Sequence, residues 1–186
     1  MERPIRLHIA SVVLALFALA PALAIAATPA APKTTVQTPK PVMKPGVAPA
    51  APDIGGRWKL DVEHSDFGSA TKMKPRERID LWERDGAEWH VRSSTVKSTG
   101  DTLKLDWHCR SDGTPVTNTM MGTPVKTVGA MEGGVLHLVF SASGAFGSIL
   151  TDERWTLAPD RGTLTLERET KSPMGQYKQR YLFHPV

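Results

Sequence analysis

Apolar and polar residues alternate at every second position along most of the chain after residue 53, and this period constrains the fold more than any other feature. In "RWKLDVE", the apolar residues Trp58, Leu60 and Val62 alternate with charged residues. Successive side chains of a β-strand point to opposite faces of a sheet. The pattern therefore predicts a strand with one apolar face and one solvated face.

The same alternation returns through the rest of the chain. Its further apolar positions are Ile79, Leu81, Trp89, Val91, Leu103, Leu105, Trp107, Leu136, Leu138, Phe140, Ile149, Trp155, Leu157, Leu164, Leu166, Tyr177, Tyr181 and Phe183. Turn sequences such as "STGD", "EGG" and "PDRG" separate these runs, and no segment of ten or more residues has helical periodicity. We therefore predict an all-β fold, an antiparallel up-and-down meander of eight or nine strands. Closure into a barrel would remove the two sheet edges of such a meander.

The turn sequence "RDG" predicts the first hairpin. A three-residue loop over residues 84–86, with Gly86 in the left-handed conformation as a bulge, places Leu81 opposite Trp89. The apolar faces of the two strands then agree. This register puts Trp82 on the outer face, where it would either cover a neighbouring loop or mark a contact surface.

The second predicted hairpin turns at "APDRG". Pairing Leu157 with Leu164 places Glu153 opposite Arg168 on the apolar face, so two opposite charges point inward. They form either a partly buried ion pair near the rim of the sheet or a polar anchor for the head group of an interior ligand.

The N-terminal residues have the layout of an export signal. Two arginines precede an apolar run over residues 9–19, and Ala24 and Ala26 offer a cleavage site. We predict a signal peptide over residues 1–26 and hence a periplasmic or secreted protein. The alternative is a retained membrane anchor, because the whole stretch from Ile9 to Ala26, if uncleaved, is nearly long enough to cross a bilayer. Any membrane contact is predicted only through this uncleaved segment.

Residues 27–53 contain seven prolines, six alanines and three lysines, with no aromatic residue. Such a segment buries too little apolar surface to offset its ordering entropy, so it is predicted to be a disordered linker before a β-domain over residues 54–186. That domain has 18 Lys plus Arg against 17 Asp plus Glu. Its basic residues alternate with acidic ones, and no nucleic-acid partner is predicted.

The chemistry-bearing residues form no recognisable catalytic or metal-binding pattern. The single cysteine, Cys109, continues an apolar alternation and is predicted to be buried, and the spacing of the histidines predicts no metal site. "SASGAFGS", from Ser141 to Ser148, lacks the nucleophile-elbow pattern and is interpreted as a loop with Phe146 near its tip. We therefore predict no catalytic residue, no metal and no cofactor.

The stretches "GRWKLDVEHSDFG" and "ERWTLAPDRGTLTLERE" resemble a group of exported bacterial single-domain proteins of lipocalin-like (calycin) type, most without an assigned function. The triplet Gly56-Arg57-Trp58 is similar to the Gly-x-Trp that opens the first strand of lipocalins and avidin-type barrels. This resemblance covers residues 54–186 and implies a closed barrel with Trp58 as the plug of one end. It also implies that a late-strand arginine stacks on Trp58, with Arg168 the first candidate and Arg180 the second.

An eight-stranded barrel is either filled by side chains or holds one small ligand. The inward aromatic residues and the inward charge predict binding of a small apolar or amphipathic molecule. The predicted ligand-binding residues are Trp89, Trp107, Phe140, Trp155, Arg168 and Tyr181. The alternative is a non-catalytic cell-envelope interaction module with a solid barrel core.

Overall fold

A computed structural model describes residues 53–144 and 147–186. The predicted signal peptide, most of the predicted linker and Phe146 lie outside these residues. The elements are β1 (Gly56–Asp66), a kinked 3₁₀ segment (Gly68–Met73), β2 (Glu77–Asp85), β3 (Glu88–Val96), β4 (Thr102–Arg110), β5 (Val116–Met120), β6 (Thr123–Glu132), β7 (Val135–Gly144), β8 (Gly147–Leu157), β9 (Leu164–Ser172) and β10 (Gly175–Pro185). The predicted loop from Ser141 to Ser148 is therefore wrong, because both strands extend into it.

The ten strands form one antiparallel sheet in the order β4-β3-β2-β1-β10-β9-β8-β7-β6-β5. β1 pairs with both β2 and β10, so the sheet curls round into a nearly closed barrel. The predicted all-β antiparallel meander is confirmed, with ten strands instead of eight or nine. The two additional strands are β5 and β6. Apolar alternation does not identify them, because their inward side chains include the polar residues Asn118 and Thr127, which are both buried.

The seam of the barrel lies between β4 and β5, the two ends of the strand order. The Asn118 amide spans it: His108 N donates to Asn118 Oδ1 at 2.8 Å, and Asn118 Nδ2 donates to His108 O at 2.8 Å. Further along, β6 passes so close to β4 that a Cβ on Gly129 would lie 2.3 Å from the Arg110 carbonyl oxygen. A glycine therefore allows the two strands to meet.

Four tryptophans pack in one half of the barrel. The Trp82 ring centroid lies 6.0 Å from that of Trp89, 5.7 Å from that of Trp107 and 4.8 Å from that of Trp155, each in an edge-to-face arrangement. The predicted outward position of Trp82 is wrong, since only 1% of this residue is exposed. Fully buried side chains around these rings are Leu136, Leu138, Leu164, Leu166 and Phe183.

The reversal of Trp82 follows from the β2–β3 register. The turn consists of Gly86 and Ala87, so Trp82 pairs with Val91 and the predicted three-residue bulged loop is wrong. Leu81 faces outward. The alternation was misleading here because the inner face of β2 also carries the charged residue Asp80, which is completely buried.

The β8–β9 hairpin has the predicted register. Leu157 pairs with Leu164, and Glu153 pairs with Arg168 on the inner face.

Cys109 is buried, as predicted. Burial, aided by the negative charges of Glu153 and Glu88, raises the pKa of the Cys109 thiol to about 12.

Candidate ligand pocket

A cavity of about 320 Å³ lies inside the barrel, at the end where the 3₁₀ segment connects β1 to β2. Its apolar wall consists of Leu60, Phe67, Ala70, Met73 and Pro75. Its polar lining consists of Arg78, Thr95, Arg168, Thr170, Tyr177 and Gln179, with Tyr181 between the two. The cavity is therefore two-sided, with apolar groups from the 3₁₀ segment facing polar groups from the strands.

The 3₁₀ segment is held tightly against β10. Gly68 adopts a φ of 54°, and a Cβ at this position would lie 2.2 Å from the Lys178 carbonyl oxygen. The preceding residue, Phe67, is buried, and its ring centroid lies 5.2 Å from that of Tyr181. This packing places the apolar wall of the cavity over the barrel interior.

Arg78 and Asp80 form an ion pair inside the barrel. Arg78 Nε donates to Asp80 Oδ1 at 2.9 Å, and Arg78 Nη2 donates to Asp80 Oδ2 at 2.8 Å. This bidentate geometry is the strong form of an arginine–carboxylate contact. It compensates the burial of the Asp80 charge.

Arg168 and Glu153 form a second ion pair. Arg168 Nε donates to Glu153 Oε1 at 2.8 Å, and Trp155 Nε1 donates to Glu153 Oε2 at 2.8 Å. Burial opposes the charge on the guanidinium, but Glu153 and Tyr181 outweigh it and hold the pKa of Arg168 above its ordinary value. The charged guanidinium carbon lies 5.3 Å from the Tyr181 ring centroid.

These ion pairs leave part of each guanidinium available. Both pairs use Nε and Nη2, so Nη1 of Arg78 and Nη1 of Arg168 take no part in them. Both arginines line the cavity, and each Nη1 carries N–H donors.

The predicted ligand-binding residues divide into two sets. Arg168 and Tyr181 line the cavity. The other four, Trp89, Trp107, Phe140 and Trp155, belong to the packed aromatic core or lie against it. Along β8 and β9 the order from cavity to core is Thr170, then the Arg168–Glu153 pair, then Trp155, so this ion pair separates the two regions.

Trp58 is buried, and its Nε1 donates to the Ile54 carbonyl oxygen at 2.9 Å. The arginine expected to stack on it, Arg168, lies over Tyr181, and the second candidate, Arg180, is exposed.

The sequence pattern did not identify Arg78 as a residue of the cavity. A signal for it existed, since Arg78 and Asp80 are two residues apart in "RERID" and so share one face of a strand.

A separate cluster lies on the outer face of β3 and β4. One ring nitrogen from His90, one from His108 and one carboxylate oxygen from Asp106 all lie within 4.8 Å of one another. These residue types are metal ligands, and the sequence spacing gave no indication of their proximity because they come from two strands.

No protein-family model and no curated protein sequence matches the chain. Among the residues that the structure describes, no helix is long and apolar enough to cross a membrane.

Several solved structures are similar in architecture. A secretory abundant heat soluble protein from Ramazzottius varieornatus has 10% sequence identity and a TM-score of 0.55, with 72% of this chain and 95% of that chain covered. Zebrafish ileal bile acid-binding protein, complexed with cholic acid, has 12% identity and a TM-score of 0.47, with 71% and 98% covered. Lobster apocrustacyanin A1 has 13% identity and a TM-score of 0.38, with 71% and 60% covered. At these identities the likeness concerns the fold alone, and the chain has a lipocalin-like antiparallel β-barrel fold.

Proposed function

We propose that the barrel binds one small amphipathic molecule, non-covalently, in the cavity beneath the 3₁₀ segment. The observation that carries the proposal is the two-sided lining, with Phe67, Ala70 and Met73 on one side and the guanidinium groups of Arg78 and Arg168 on the other. Small-molecule sites combine a mainly apolar wall with a few placed polar groups in this way.

The polar side selects the head group. In this proposal an acceptor such as a carboxylate, sulfonate or hydroxyl oxygen takes N–H donors from the Nη1 atoms of Arg78 and Arg168. Because Asp80 and Glu153 already neutralise the two arginines, hydrogen bonding contributes more to recognition than net charge does.

The apolar side selects the remainder of the molecule. A cavity of about 320 Å³ is at the lower end of the range for small-molecule sites, which begins at roughly 300 Å³. Met73 is 67% exposed, so it marks the rim, and a longer apolar tail would extend past it. In this proposal Arg168 and Tyr181 contact the ligand, while Trp89, Trp107 and Trp155 support the floor.

The proposal is tested with anilinonaphthalene sulfonate, an amphipathic anion whose fluorescence rises in an apolar site. The variant Thr170→Trp fills the cavity, and Thr165→Trp, on the outer face of the same strand, is the matched control. We expect the chain to bind one equivalent of probe. We also expect Thr170→Trp to lower the affinity for the probe about tenfold or more. The affinity of Thr165→Trp should be close to that of the wild type.

Equal affinity in both variants would place the probe elsewhere and overturn the proposal. Solvent extraction of the purified chain followed by mass spectrometry supplies an independent test, in which a recovered amphipathic compound supports the site. A chain that binds no probe and yields no compound would favour the alternative, an interaction module with a solid core.

The location of this activity is part of the proposal. We propose that the chain is exported, that residues 1–26 are removed, and that residues 27–53 link the barrel to its surroundings as a spacer. N-terminal sequencing of protein recovered from the exported fraction should begin at Ala27. An intact N-terminus would instead indicate the retained anchor.

A further inference from the structure

We propose that the outer face of β3 and β4 holds a divalent transition-metal site formed by His90, Asp106 and His108. The site is separate from the cavity, since its side chains point away from the barrel interior while Trp89, Trp107 and Cys109 on the same strands point inward. Its test is therefore independent of the proposed ligand binding.

The strand register brings the three ligands together. His90 pairs directly with His108, and their rings are parallel within 2° with centroids 4.4 Å apart. Asp106 precedes His108 by two residues and so lies on the same face, with its Oδ1 2.6 Å from His90 Nε2. The three ligating atoms already lie within 4.8 Å of one another. An ion about 2.0–2.2 Å from each atom therefore requires the two parallel rings to rotate until their nitrogens converge on it.

Two further carboxylates, those of Glu83 and Glu88, lie beside the same two rings. Glu83 Oε2 lies 3.6 Å from His90 Nδ1, and Glu88 Oε1 lies 3.2 Å from His108 Nδ1. Histidines that bind a metal commonly donate their other ring N–H to a carboxylate, which orients the ring and makes it a stronger ligand. The outer face thus places a carboxylate beside the second nitrogen of each ring.

The backbone beneath the cluster is held in place. His108 exchanges two hydrogen bonds with the Asn118 amide across the seam, and Asn118 Nδ2 also donates to Thr127 Oγ1 at 3.0 Å. The His90 and His108 side chains are 32% and 43% exposed, so an ion can reach them from solvent. Rigid support with open access is the arrangement expected of a surface metal site.

The ligand chemistry selects the class of ion. Two imidazoles and one carboxylate suit Zn²⁺, Cu²⁺ or Ni²⁺, whereas Ca²⁺ and Mg²⁺ prefer oxygen ligands. Over residues 53–144 and 147–186, this is the one group of three such ligands. His137 offers a matched comparison, because it contacts a carboxylate at 2.9 Å, from Asp152, yet belongs to no such group.

The test is a calorimetric titration of Zn²⁺ into the full chain, prepared without a polyhistidine tag and freed of metal by a chelator. We expect one equivalent to bind, and His90→Gln and His108→Gln each to lower the affinity about tenfold or more. The control His137→Gln should bind as the wild type does. Co²⁺ gives a second readout, since its visible absorption bands should be lost in both site variants and kept in His137→Gln.

The carboxylate and the fold are tested separately. Asp106→Asn should weaken Zn²⁺ binding while leaving the far-ultraviolet circular dichroism unchanged, and this guards against a misfolded His108→Gln variant. Zn²⁺ should also raise the unfolding temperature of the wild type but not of His90→Gln. The proposal is overturned if the wild type binds no Zn²⁺, or if the site variants and His137→Gln retain equal affinity.

Discussion

Arg168 and Glu153 face each other across β9 and β8 inside the barrel, with Arg168 Nε 2.8 Å from Glu153 Oε1. On one side of this pair lies the aromatic core around Trp155, and on the other lies the cavity lined by Thr170. The pair therefore forms both a structural layer of the barrel and the polar side of the candidate ligand site.

Removing the positive member of this pair should destabilise the fold. Arg168→Met leaves the Glu153 carboxylate buried with the Trp155 N–H as its remaining partner, so we expect a loss of about 3 kcal/mol in the free energy of unfolding. Urea denaturation measures it. The matched control is Arg154→Met on the exposed face of β8, which should change stability by less than about 1 kcal/mol. Similar losses in both variants would show that the ion pair is not effectively buried.

The inward position of Trp82 predicts a strong effect of truncating it. Trp82→Ala removes the ring that contacts Trp89, Trp107 and Trp155. We expect this variant to lose about 4 kcal/mol in the free energy of unfolding or to fail to fold. Leu81→Ala, the adjacent outward position, should cost distinctly less. Thermal and urea unfolding of both variants test the register of β2, and the reverse order of stability would contradict it.

Asn118 should contribute to closure of the barrel. Asn118→Ala removes both hydrogen bonds to the His108 backbone. We therefore expect the free energy of unfolding to fall by about 2 kcal/mol. We also expect the His108 amide hydrogen to exchange faster with solvent. Thr119→Ala, at the neighbouring exposed position, is the control and should alter neither quantity. Unchanged His108 exchange in Asn118→Ala would mean that other contacts hold the seam.

Cys109 should make the fold less stable in alkali. The unfolded thiol loses its proton from about pH 8.5, whereas the folded thiol has a pKa of about 12. Between these values the unfolded chain binds fewer protons, so the free energy of unfolding should fall by about 1 kcal/mol per pH unit. Comparing urea midpoints at pH 8 and pH 10 measures this slope. Cys109→Ala should reduce it, and an equal slope in that variant would assign the effect to other groups.

The β8–β9 hairpin shows how far local pattern can determine register. Leu157 and Leu164 flank a recognisable turn, and every apolar position agrees with one pairing, so Glu153 and Arg168 were placed opposite each other from sequence. The β2–β3 hairpin differs because Leu81 and Trp82 are adjacent and both apolar. Alternation alone could not decide which of them points inward.

The polar side of the candidate site was predictable where the strands alternate regularly. Arg168 and Tyr181 lie on regular strands and were identified as inward, and both line the cavity. The apolar wall was not identified, because it depends on the 3₁₀ segment folding back over the mouth. The contact between Gly68 and the Lys178 carbonyl that permits this joins residues 110 positions apart.

The sequence by itself determined the architecture, because period-two alternation and turn residues act between near neighbours and require an antiparallel meander. The tertiary structure decided which residues fill the interior and which face the cavity. It also brought His90, Asp106 and His108 together, since their proximity depends on the pairing of β3 with β4. Those outcomes depend on contacts between separate strands, where a buried ion pair such as Arg78–Asp80 can reverse the face that hydrophobicity alone would choose.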